Sequence, residues 1–139
     1  MSPTEATIWP MIAHVALVVF LYLLLSARRM RAVREGRARP EQFRENREEP
    51  ADSLLVRNSI ANQFELPMLF YAASILLYLV DADNPVTVAG GWLFVALRYA
   101  HAYVHVTSNR LRYRRPLFIA GMLVLVLLWV WLAVWLALT

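Results

Sequence analysis

The chain has 139 residues, 60% of them hydrophobic, and a mean hydropathy of +0.48. A soluble domain carries roughly 45–50% apolar residues, so this composition indicates one small membrane-embedded domain. There is no cysteine, which excludes disulfides, thiolate metal sites and a cysteine nucleophile; any thiol chemistry must use a thiol brought from outside.

Four apolar runs, each near the ~20 residues that a bilayer demands, are predicted as membrane-spanning helices at about 8–26, 54–80, 86–107 and 117–138. The first begins beside the acidic Glu5 and lacks a cleavage signal, so it is read as an uncleaved span, with Pro10 tolerated near its first turn. His14, about a turn deeper, reads as a packing or interfacial residue. Residues 27–53 hold eight arginines and six acids and read as a solvated connector. All 14 basic residues of the chain are arginine, and four of them lie in the second polar loop, 108–116. The positive-inside rule places both arginine-rich loops in the cytoplasm and both termini outside. The net charge of +4 therefore speaks to orientation in a membrane and not to nucleic acid.

The second span is interrupted by Pro67, which should kink it just past Glu65. Asn58, Asn62 and Glu65 stand at i, i+4 and i+7 and share one helical face. An ionisable residue at that depth is costly and marks a functional site whose partner must be found. The turn Asp81-Ala-Asp-Asn-Pro85 joins the second and third spans as a tight antiparallel pair, and Gly90 and Gly91 permit close helix contact. The third span carries Arg98, His101 and His105 at i, i+3 and i+7, with Asn109 extending the stripe. In antiparallel helices, residues at equal depth have a constant sum, which pairs Glu65 with Arg98, Asn62 with His101 and Asn58 with His105. At 1.5 Å per residue, Glu65 and Arg98 lie roughly 16 and 18 Å in from their cytoplasmic ends. The fourth span is bland, with Trp129, Trp131 and Trp135 in its outer half, where aromatic belts form.

The simplest account of these stripes is a buried Glu65–Arg98 ion pair with the amides and histidines as polar glue. Six polar groups aligned toward one leaflet, crowned by Arg110 and Arg112, instead suit a polar cavity for an anionic ligand, joined by an apolar second ligand from the bilayer. His101 and His105 could in principle ligate a metal, but Arg98 would oppose a cation, so no metal is expected. Nothing resembles an inverted repeat, which argues against transport.

These residues resemble the MAPEG family (membrane-associated proteins in eicosanoid and glutathione metabolism). The resemblance rests on four spans with a long first cytoplasmic loop, Asn62-x-x-Glu65 followed by Pro67, the Arg98-x-x-His101 stripe and the arginine-rich turn before the last span. It implies an all-α, integral membrane four-helix bundle forming a homotrimer, with sites between subunits that bind glutathione as co-substrate. Carried onto this chain, Asn62 and Glu65 would hold the peptide's polar groups, Arg98 would brace Glu65, and His101 would line the site with Asn58. Arg110, Arg112 or Arg114 would stabilise the thiolate that attacks a lipophilic electrophile or peroxide. Asn58 and Ala61 stand where animal members usually carry arginine or glutamine, and His105 stands where many carry tyrosine, making His105 a candidate acid–base group. The implied function is a glutathione- or thiol-dependent transferase or peroxidase; the alternative is a non-catalytic membrane protein with a lipid- or anion-binding pocket. The absence of lysine and the compact form suggest a bacterial member in the inner membrane.

Overall fold

A computed structural model describes residues 3–139, with side chains from residue 5 onward. The described residues form helices and no strands: α1 (Pro3–Ala6), α2 (Trp9–Arg34), α3 (Pro40–Glu45), α4 (Ala51–Gln63), α5 (Leu66–Leu79), α6 (Pro85–Val106) and α7 (Leu111–Leu138). Taking α4 and α5 as one interrupted helix, these make a four-helix bundle with α3 as a short surface helix. Three units, α2, α4–α5 and α7, are long and apolar enough to cross a membrane. α6 is long enough as well, but Arg98, His101 and His105 dilute its apolar character.

Local chemistry sets the ends of these elements. Asn84 caps α6: its Oδ1 accepts from the Val86 and Thr87 amides at 2.8 and 3.1 Å, and the Thr87 hydroxyl accepts the Asn84 amide at 2.9 Å. Pro85 follows at the first helical position, where its missing N–H costs nothing. α7 begins at Leu111, six residues earlier than its apolar run implied, so Arg112, Arg114 and Arg115 are helical and Pro116 lies inside the helix.

α2 likewise continues past the expected residue 26 to Arg34, and it ends where Gly36 adopts φ +71°. The following segment stays mostly exposed, as its charge suggested, but it is tied down at several points. Gln42 accepts the Arg39 amide at 2.6 Å to start α3, and Glu49 is clamped by Arg29 at 2.8 and 3.0 Å and by Arg57 at 3.2 Å. Arg28 then donates to the carbonyls of Asp52 and Val106, at 2.6 and 2.8 Å, tying α2 to α4 and to the end of α6. Burial alone would raise the Glu49 carboxyl, but the hydrogen bonds from Arg29 and Arg57 hold it below its ordinary value of 4.5.

α6 packs against α2, α4 and α7, so its polar residues lie at the centre of the bundle. Two apolar clusters fill the interior. One, containing Phe70, Leu77, Phe94, Val95, Leu125 and Leu128, joins α5, α6 and α7. The other, containing Leu17, Leu21, Val56, Ile60, Ala102 and Val106, joins α2, α4 and α6 toward the arginine-rich end. His14, Gln63, Arg98 and His101 are buried at sequence positions between the two clusters on their helices. At the opposite end, Trp129, Trp131 and Trp135 donate to the carbonyls of Leu69, Ala82 and Val80. These indoles satisfy backbone groups and so do more than line an interface.

Candidate functional site

Arg98 is 2% exposed at the centre of the bundle, yet no carboxylate lies within 4 Å of it among the described residues. Its guanidinium instead meets carbonyl oxygens. Nη2 donates to Asn62 Oδ1 at 2.5 Å and to the Asn62 backbone carbonyl at 3.3 Å, and both Nε and Nη2 reach Gln63 Oε1 at 3.3 Å. The direct Glu65–Arg98 brace expected from equal depth is therefore corrected. Arg98 reaches Asn62, and Asn62 Nδ2 donates onward to Glu65 Oε2 at 3.0 Å. The reason is a break in the second span. The helix ends at Gln63, Phe64 and Glu65 leave helical geometry, and Glu65 becomes the exposed N-cap residue of α5. The kink thus falls at Phe64–Glu65, before the position expected from Pro67, which sits buried in the first turn of α5.

Below Arg98 on the same face of α6, His101 and His105 are 3% and 8% exposed, with ring centroids 5.7 Å apart. The Nδ1 atom of each is buried without a hydrogen-bond partner among the described residues. Orphaned polar atoms in a folded interior are rare and call for an occupant or a role. Both histidines line a cleft of about 950 Å³ between α6, α4 and the first turns of α7. Asn62, Arg112, Arg114 and Arg115 complete its polar part; Phe118, Ile119 and Leu123 form an apolar wall. Arg114, half-buried, turns inward and donates to Asn109 Oδ1, while Arg112 lies exposed with its guanidinium 5.9 Å from the Tyr113 ring. Asn109 holds φ +50° in the turn between α6 and α7, which lets its side chain meet Arg114.

Of the residues singled out from the sequence, the fold gathers Asn62, His101, His105, Arg112 and Arg114 around one cleft. Arg98 and Glu65 join through Asn62 and do not line it. Asn58 is exposed on α4 and does not line the cleft, and Arg110 is the exposed N-cap residue of α7. Arg115 was not singled out as a site residue. Gln63 and His14 were missed as a pair, although each is a polar group inside an apolar run, which is the signal that could have found them.

The cleft combines a cationic mouth with an apolar side wall. The first turn of α7 holds arginines and no acid, so its positive helix end and its side chains repel one another until an anion arrives. Among the described residues, no three or more His, Asp or Glu come together as a metal-ligating group. An anion with several carboxylate or carbonyl oxygens suits the arginine donors of this set.

The architecture is that of an integral membrane helical bundle with an amphiphilic cleft at its arginine-rich end. A sequence profile of the MAPEG family matches residues 7–134, and the chain belongs to that family, whose members are associated with glutathione in general. No curated protein and no solved structure gives a significant match.

Proposed function

We propose that this protein is a membrane glutathione- or thiol-dependent transferase or peroxidase acting on lipophilic electrophiles. The observation that carries the reading is the cleft itself, in which arginines and histidines face an apolar wall across one cavity of about 950 Å³. Bound there, glutathione supplies a thiolate that attacks an electrophilic carbon, forming a C–S bond as the leaving group departs with its electron pair. Arg114, and Arg112 beside it, would provide positive charge that favours thiolate over thiol. Asn62, with Glu65 behind it, would orient the peptide, His105 could pass a proton, and Phe118, Ile119 and Leu123 would receive the lipophilic partner from the bilayer. Asn58 and Glu65 are exposed on the outside of the protomer, which supports a homotrimer with sites between subunits. The arginine-rich ends of the helices support cytoplasmic placement of this mouth.

The test is isothermal titration of glutathione into detergent-purified protein, with Glu65→Gln as control. Saturable binding that weakens in the variant supports the reading. A wild type that binds no glutathione overturns it and favours a lipid or another anion as occupant, identifiable by mass spectrometry of the purified protein.

A further inference from the structure

A chain of hydrogen bonds runs from the first span to the cleft, and its polarity is fixed from one end. Arg98 can only donate, so the side-chain oxygens facing it must accept. Gln63 therefore presents Oε1 to Arg98, and its Nε2 donates to the Ser59 carbonyl at 3.0 Å. That same Oε1 lies 3.1 Å from His14 Nε2, which must then be the protonated nitrogen. In the neutral imidazole, His14 Nδ1 then carries the lone pair and accepts from the Tyr71 hydroxyl at 2.7 Å. On the other side, Asn62 Oδ1 accepts from Arg98, which leaves Asn62 Nδ2 to donate to Glu65. His14 and Gln63 are both fully buried, so no water competes for these bonds.

We infer that His14 and Gln63 are positioning residues for the cleft: they set the place of the Arg98 guanidinium and, through Asn62, of the groups that meet the ligand. Neither residue lines the cleft. Their role follows from geometry. The Arg98 guanidinium has two side-chain anchors among the described residues, and one of them, Gln63 Oε1, is held in place by His14. Without His14, Gln63 Oε1 loses one of its partners and the amide is held by Ser59 and Arg98 alone, so its anchor on the guanidinium loosens. The functional part of this inference rests on the glutathione reading above; the structural part does not.

The experiment compares His14→Leu with His14→Gln, whose side-chain amide can still donate to Gln63. The Arg98 Nε–H resonance in ¹⁵N-labelled protein reports the guanidinium directly, and glutathione titration reports the cleft. His14→Leu is expected to move the resonance and to weaken binding by about tenfold, the ~1.4 kcal/mol scale of one hydrogen bond. His14→Gln should restore both to near wild type. If the leucine variant does not fold, Gln63→Glu replaces it: its carboxylate should draw Arg98 from Asn62, shift the resonance and weaken binding in a folded protein. An unmoved resonance in a folded His14→Leu or Gln63→Glu variant overturns the inference. So does a moved resonance with unchanged affinity, because the coupling to the cleft is then absent. If wild type binds no glutathione but the resonance still moves and recovers, the glutathione reading has failed and the positioning of Arg98 stands.

Discussion

At the residue scale, the four arginines near the last turn are not equivalent. Arg114 is half-buried and held by Asn109, whereas Arg110, Arg112 and Arg115 are exposed. A preorganised donor does more for a developing negative charge than a mobile one, and losing such a donor typically lowers turnover by about 10²–10³. Arg114→Ala is expected to fall in that range at saturating glutathione, and Arg112→Ala to fall by less, with electrophile conjugation as the readout. Equal effects from both would mean that the cleft uses only its summed charge. Glu49 carries a separate, pH-dependent role. Its carboxyl is held below its ordinary value of 4.5, so its contribution to stability is present above that pH and is lost as pH falls through the lower folded value. Glu49→Gln should lower stability at neutral pH by about 1–3 kcal/mol and flatten the acid limb of the melting curve.

At the element scale, the helices approach most closely where side chains are smallest. A Cβ added at Gly91 would stand 3.3 Å from Pro10 Cγ and 3.6 Å from Phe70 Cε2, and the proline ring cannot swing aside. At Gly121 the nearest atoms are ring carbons of Phe94 at 3.9 Å, ordinary van der Waals contact. Gly91→Ala is therefore expected to destabilise by about 1–3 kcal/mol through overpacking between α2 and α6. Gly121→Ala should be neutral or stabilising by up to about 1 kcal/mol through helix propensity. Thermal melts of the two variants in detergent check the contrast. As a small residue in an apolar run, Gly91 was legible as a contact position; Gly121 was not singled out, and only the packed neighbours separate the two. The break at Phe64–Glu65 has the same character. Pro67 announced a disruption, yet its ring fits the first turn of α5, and the irregular residues lie before it.

At the scale of the whole molecule, the absence of cysteine makes topology directly testable. With both arginine-rich turns in the cytoplasm, Thr139→Cys should react with an impermeant maleimide in intact spheroplasts. Ser108→Cys should react only after permeabilisation. The reverse pattern would invert the protein and place the cleft mouth outside. The bundle and its membrane character were legible because a run of ~20 apolar residues has few alternatives in water or lipid. The polar stripes on the second and third spans were legible for the same reason, since a polar residue within such a run stands out.

The sequence by itself determined the number of long helical units, their antiparallel order and the two polar stripes, because hydrophobicity and helix periodicity act locally. It also brought Asn62, His101 and the arginine turn to one end of the bundle. Which partners those side chains choose was decided only in three dimensions. Arg98 takes carbonyl oxygens from Asn62 and Gln63, and Glu65 is reached at second hand, because the chain breaks at Phe64–Glu65. Gln63 and His14 meet across two spans separated by the arginine-rich segment, which folds back through Glu49 and Arg28. Such contacts depend on side-chain direction and on a local break in backbone geometry, and no periodicity along one helix encodes either.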